Sequence, residues 1–280
     1  MSRFPKKIKD FSCSFEDFNL EYDAHYKLLK TTPLPSDIEK YYPEEDYISH
    51  QNDSKGLVSS VYQIVKNYTG SRKIKLFRKL VKPSAAVLDY GAGNGFLVSK
   101  LKEQNWNAFG VEPSSYARKQ AEYFNVKLYS SLKELGDQNF SAISLWHVLE
   151  HIPNYREVLK QLTALLEEEG YLILALPNYN SWDASYYNSF WAAYDVPRHA
   201  YHFSKESIHV LSQEFNLKVR KIKPMLFDSF YVSYLSEKNK GSKIPFIKGI
   251  LIGFLSNCIG FFKKEHSSHL YLLQKPKNAK

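Results

Sequence analysis

Val87-Leu88-Asp89-Tyr90-Gly91-Ala92-Gly93-Asn94-Gly95-Phe96 runs an apolar strand into three alternating glycines and then into the start of a helix. Glycine lets a backbone turn sharply and lets a ligand approach without Cβ atoms in the way. The loop falls at the carboxyl end of a strand, where open α/β sheets bind ligands. Its spacing is G-x-G-x-G, which does not meet the dinucleotide pattern G-x-G-x-x-G. Asp89 would repel a pyrophosphate and suits a cationic or hydroxyl-rich ligand. A plain strand–helix turn also needs positive φ, but three alternating glycines exceed what one turn requires.

On either side of this loop, short apolar runs alternate with helical patterns. The runs are Ala85 to Asp89, Asn107 to Val111, Val126 to Tyr129, Ala142 to Trp146 and Tyr171 to Leu176. Strands alternating with helices predict βαβ units, a parallel sheet and right-handed crossovers. A helix over Lys205 to Phe215, a strand over Leu217 to Ile222 and a last strand over His269 to Leu273 follow. Upstream, Met1 to Gly70 offers few convincing strands and is punctuated by Pro33, Pro35 and Pro43. Gly56 to Tyr68 carries apolar residues at helical spacing. The expected organisation is a helical or irregular N-terminal extension with a lid helix (1–70) and an α/β domain (71–280). That domain carries an aromatic insertion at 178–204 and an apolar helical excursion at 226–265.

Composition agrees with a globular chain. Of 280 residues, 44% are apolar and 24% charged, which excludes wholesale disorder. Two cysteines, Cys13 and Cys258, exclude a disulfide-stapled fold and suit a reducing, cytoplasmic setting. Met1 to Asp10 is basic, but no apolar run with a cleavage site follows, so no secretory leader is expected. Lys and Arg number 38 against 29 acids, a net +9 that favours anionic partners. These cations are spread along the chain rather than clustered among stacking aromatics, so nucleic acid is not an expected partner.

Phe109-Gly110-Val111-Glu112-Pro113 ends the second strand on an acid, placed to accept hydrogen bonds from ribose hydroxyls. Together with the glycine loop it resembles the class I S-adenosylmethionine-dependent methyltransferases. More narrowly, it is similar to the bacterial methyltransferase family 23 group. That likeness rests on Tyr47-Ile48-Ser49-His50, His147-Val148-Leu149-Glu150-His151 and Pro197-Arg198-His199-Ala200-Tyr201-His202-Phe203. The resemblance implies a Rossmann-like, mostly parallel seven-stranded sheet with an antiparallel last strand. It implies S-adenosyl-L-methionine as cofactor, held by Asp89, Gly91, Gly93, Gly95, Glu112 and Pro113. Ser131 and Leu132 after the third strand, and Trp146 and His147 after the fourth, join that set, and Tyr47 and His50 are expected at the donor's amino-acid end. Relatives often begin with two Cys-x-x-Cys pairs forming a zinc module. Here Cys13 has no near partner, so a degenerate remnant is expected.

His147-x-x-Glu150-His151 also matches the H-x-x-E-H pattern of inverted zinc proteases, which requires a helix. These residues leave a strand and meet Pro153, so the helix is not expected. His199 and His202 sit in the aromatic insertion that faces the acceptor in such sheets. With His151 they are the candidate catalytic residues, since histidine titrates near neutral pH and accepts a proton from a nucleophile. A structural network pinning the insertion is the competing reading, and neither role requires a metal. Ile244 to Phe262, flanked by Lys243, Lys248, Lys263 and Lys264, reads as a buried or dimer-forming helix, as a contact with an anionic membrane surface, or as part of a greasy substrate lid. The expected activity is methyl transfer to a small or lipophilic acceptor. A dinucleotide-dependent oxidoreductase and a non-catalytic cofactor- or nucleic-acid-binding protein are the alternatives.

Overall fold

The computed structural model describes residues 4–42 and 57–277. Tyr47 and His50 lie outside the described residues. Three N-terminal strands, β1 (Lys7–Lys9), β2 (Asp17–Asp23) and β3 (Leu28–Thr32), precede a long helix α1 (Leu57–Leu80). The α/β unit follows: β4 (Ala86–Tyr90), α2 (Phe96–Lys102), β5 (Asn107–Val111), α3 (Ser115–Ala121), β6 (Phe140–Trp146), α4 (Tyr155–Leu165) and β7 (Leu166–Pro177). The insertion contributes α5 (Trp182–Tyr187) and β8 (Tyr201–His202). Then come α6 (Lys205–Glu214), β9 (Lys218–Pro224), α7 (Leu226–Asn239), α8 (Pro245–Lys263) and β10 (Ser268–Gln274).

The main sheet has the order β5-β4-β6-β7-β10-β9. β4 pairs in parallel with β5 and β6, and β6 with β7, while β10 runs antiparallel to both β7 and β9. Leu172 and Leu174 of β7 enter one core layer, and Ile173 and Ala175 enter the other. Helices on both faces explain why the strand reads as an unbroken apolar run. Burying each such leucine or isoleucine contributes about 1.5–3 kcal/mol.

Two expectations require correction. The sheet has six strands rather than seven, because residues 126–129 form only an isolated parallel bridge, Val111 to Tyr129. Asn125 enters that segment with φ 53° and Leu132 opens a 3-10 turn soon after, so little extended backbone is left to pair. The N-terminal segment is not helical or irregular among its first described residues. β1, β2 and β3 form an antiparallel meander, and β8 completes a four-stranded sheet by pairing Leu29 with His202 and Lys30 with Tyr201. Phe18 and Leu20 of β2 point inward between exposed Asp17, Asn19 and Glu21. Poor strand formers on the wet face hid this alternation. The Asp10 carboxylate organises the turn that holds Cys13, accepting from the backbone of Ser12, Cys13 and Ser14.

The excursion is a helix pair. A Cβ at Gly249 would lie 2.6 Å from Tyr234 Cα, and one at Gly253 would lie 2.7 Å from Phe230 Cα, so glycines let α7 and α8 touch backbone to backbone. Asp183, fully buried, ties α8 to the body by accepting from Ser256 Oγ, Ser267 Oγ and Trp191 Nε1. The seam fixes α7, and with it Asp228, beside the end of β6.

Candidate active site

The tips of β4, β5 and β6 converge on one cleft. The glycine loop turns on three left-handed residues, Gly91, Gly93 and Gly95, and they serve different ends. A Cβ at Gly91 would lie 2.4 Å from Val148 Cγ2, so this glycine admits the β6–α4 connection. One at Gly95 would lie 3.0 Å from Ala121 Cβ, against α3. One at Gly93 meets nothing within 4 Å. The open space therefore lies over Gly93.

Glu112 caps that opening. Its Oε2 accepts the Gly93 N–H at 2.9 Å and its Oε1 accepts the Ser114 N–H at 2.9 Å. The side chain is half-buried, so lone pairs remain for hydroxyl donors. Arg118 grips the carbonyls of Glu112 and Pro113, each at 2.7 Å. Ser131 and Leu132 lead into a 3-10 turn on the same side, brought near by the Glu112 N–H to Tyr129 carbonyl bond of 2.8 Å.

Asp89 lies beneath the loop, buried, accepting from Ser144 Oγ at 2.7 Å. Burial pushes its carboxyl up to about 6, against the opposing pull of Lys73 and Ser144. Lys73 of α1 reaches across the cleft, its Nζ 4.2 Å from the centre of the Trp146 ring. Burial pushes this ammonium down, opposed by Asp89 and Asp228. Perturbed groups of this kind, in a cleft at strand tips, mark functional sites.

His147 follows Trp146 with φ 54°. Its Nε2 stands 3.1 Å from Asp228 Oδ2 and its Nδ1 stands 3.4 Å from Glu150 Oε1. Burial disfavours the imidazolium, but the two carboxylates outweigh it and push the group up to about 10. His147 is thus a cation bridging β6 to α7. Glu150 and His151 lie in the following 3-10 turn (Leu149–His151), not in the helix that H-x-x-E-H proteases need.

His151 and His199 meet ring to ring, 4.5 Å apart and edge on. The insertion is held there by the Ala200 N–H, which donates to the Glu150 carbonyl at 2.8 Å. Burial, then His199, pushes His151 down to about 4. His202 stands apart from the cleft. It is buried in β8 with Nε2 3.0 Å from Thr31 Oγ1, and Thr31 in turn donates to the His199 carbonyl. Burial holds its imidazole neutral, well below the ordinary value. Lys73, Ser144 and Asp228 are site residues that the sequence did not disclose. No motif flags a lysine in a long helix or an acid in a distant one.

The methyltransferase domain family 23 matches residues 48–222. Ubiquinone biosynthesis O-methyltransferases of Aliivibrio fischeri and Vibrio parahaemolyticus are each 26% identical over 159 residues, 52% of this chain. The matched region spans 64% of those relatives' own length. Among solved structures, magnesium protoporphyrin IX methyltransferase from Synechocystis, with bound S-adenosylhomocysteine, superposes with TM-score 0.55 at 13% identity. It covers 83% of this chain and 94% of its own. The cyclopropane synthase MmaA2 from Mycobacterium tuberculosis gives 0.51 at 14% identity, covering 80% of this chain and 87% of its own. These structural likenesses speak to the fold, and the family match spans most of the α/β unit. The chain belongs to family 23 of the class I S-adenosylmethionine-dependent methyltransferases.

Proposed function

We propose that this protein transfers a methyl group from S-adenosylmethionine to a hydroxyl oxygen of a lipophilic small molecule at a cytoplasmic membrane surface. The observation that carries the donor side is the opening over Gly93 between Asp89 and Glu112. The residues fit the donor: a buried carboxylate for its cationic end, a second carboxylate for its ribose hydroxyls, and a cradle that a Cβ would fill. When bound, the donor supplies a methyl group on a positively charged sulfur, already activated toward displacement. The protein's work is therefore alignment and exclusion of water. Asp89 orients the cationic end, and Glu112 exchanges the Gly93 N–H for ribose hydroxyls. Trp146 and Lys73 close the cleft from the side. On the acceptor side lies the Glu150, His151 and His199 cluster.

Asp89 gives the donor site a pH dependence. Its carboxyl titrates near 6, so it is charged at pH 7.5 and mostly protonated at 5.5. Affinity for S-adenosylmethionine, measured by calorimetry, should fall about fourfold across that interval, following the ionised fraction. Asp89→Asn should bind weakly and with no such slope. A flat profile in the wild type would remove Asp89 from the donor site. Heat released with NAD, and none with S-adenosylhomocysteine, would replace the whole reading with the oxidoreductase.

Support for the membrane and for a lipophilic acceptor comes from α8. It is the one helix, among the described residues, long and apolar enough to span a bilayer. Yet one side is tied to Asp183 and α7, so it lies on the protein rather than crossing a membrane. Its other side exposes Ile247, Leu251, Phe254, Phe261 and Phe262, from 56 to 83% accessible. Lys243, Lys248, Lys263 and Lys264 flank this face. An apolar face rimmed by lysines suits an anionic bilayer, at about 1 kcal/mol per lysine near the surface. Ubiquinone biosynthesis, named for the relatives, points to acceptors of the same solubility. Vesicles of phosphatidylglycerol should co-float the protein, and phosphatidylcholine vesicles should do so far less. Phe261→Ser with Phe262→Ser should abolish flotation. Retained flotation, or a concentration-dependent dimer that buries this face instead, would count against the bilayer.

A further inference from the structure

Glu150 is 1% exposed, and neither of its carboxylate oxygens accepts a hydrogen bond. A buried carboxylate without hydrogen-bond donors is costly, and His147 offers it only a 3.4 Å ionic approach from one side. Two imidazoles face it. One ligand atom each from Glu150, His151 and His199 lie within 4.8 Å of one another.

Each ring sets its Nδ1 against a backbone carbonyl. His199 Nδ1 lies 2.9 Å from the Ala193 carbonyl, and His151 Nδ1 lies 3.1 Å from the Arg198 carbonyl. A carbonyl only accepts, so each Nδ1 carries a hydrogen, which leaves Nε2 as the candidate ligand atom. Backbone carbonyls fixing the far nitrogen of a histidine are the usual outer support of a metal site. Tyr42 OH, 3.0 Å from the same His151 Nδ1, accepts a share of that hydrogen. Asp195 stands 3.8 Å from His199 Nε2, beyond hydrogen-bonding distance, and is engaged by Arg198.

We infer that Glu150, His151 and His199 bind a divalent first-row cation of the zinc class. Two imidazoles and one carboxylate suit such ions. The site is assembled from the end of β6 and from the insertion, which explains why a 3-10 turn serves where a helical H-x-x-E-H would not. His147 lies outside the set because both its ring nitrogens face carboxylates already, Nε2 at 3.1 Å from Asp228 and Nδ1 at 3.4 Å from Glu150. The metal site does not rest on the proposed methyl transfer.

Cobalt(II) is the probe, added to the full-length chain after chelator treatment. One equivalent should bind and give visible d–d bands without thiolate charge transfer, since neither cysteine belongs to the cluster. Zinc(II) should displace it. Glu150→Gln, nearly the same shape, and His199→Asn should each weaken cobalt binding about 100-fold or more. Cys13→Ser should leave it unchanged. S-adenosylhomocysteine affinity should be the same with and without metal, so failure of the metal site and failure of the donor site are read separately. No cobalt uptake by the wild type, uptake unchanged in a folded Glu150→Gln, or a thiolate-dominated spectrum would overturn the inference. Should His199→Asn not fold, Glu150→Gln, checked by its melting curve, decides alone.

Discussion

Gly93→Val should lose S-adenosylhomocysteine binding by 100-fold or more, equivalent to about 2.7 kcal/mol, while the protein remains folded. The two halves of that expectation have separate causes. Gly93 sits at φ +54°, where a side chain costs roughly 1–2 kcal/mol of backbone strain. That lowers the melting temperature by a few degrees only. No protein atom lies within 4 Å of the new Cβ, so no packing is disturbed. The branched side chain instead fills the space assigned to the donor. Gly241→Val is the matched control: it has φ +69° with nothing within 4 Å, but lies beyond the end of α7, away from the cleft. It should melt lower by a similar amount and bind the ligand normally. Normal calorimetric affinity in a folded Gly93→Val would move the donor off this loop.

His147→Asn should destabilise the metal-free protein by about 2 kcal/mol and weaken donor binding as well. Asparagine tolerates the left-handed backbone at φ 54°, so the substitution tests charge rather than strain. Removing one partner from a buried ion pair costs roughly 3–5 kcal/mol when the other is left uncompensated. Glu150, 1% exposed, is left in that state, but the histidine side chain is 38% exposed and Asp228 is 22% exposed, so water screens part of the loss. A fall of several degrees in melting temperature follows. The donor effect follows from position, because His147 tethers α7 to the strand end that carries Trp146. A melting curve identical to wild type would show that the bridge contributes nothing.

Much of the α/β unit was legible. Buried parallel strands read as unbroken apolar runs, and the antiparallel last strand at 268–274 was readable for the same reason. The donor rim was legible because close approach of a ligand requires glycine, and charge at a strand tip requires an acid. The small N-terminal sheet was not legible. Its strands alternate, but their wet positions hold Asp, Asn and Glu, and its fourth strand comes from β8, about 170 residues downstream of β3. The third parallel strand failed for a local reason, a left-handed Asn125 before it and a 3-10 turn after it.

The sequence by itself determined the alternating architecture, the glycine turn and the two acids beside it, because each follows from short-range rules of backbone conformation and burial. Tertiary structure alone decided which glycine faces open space. It also decided that Lys73 and Asp228 approach the strand ends, and that Glu150, His151 and His199, separated by up to 49 positions, come together in one cluster. Those outcomes depend on how helices seat against the sheet. Seating is set by long-range contacts such as the Gly249–Tyr234 approach, and no local pattern encodes them.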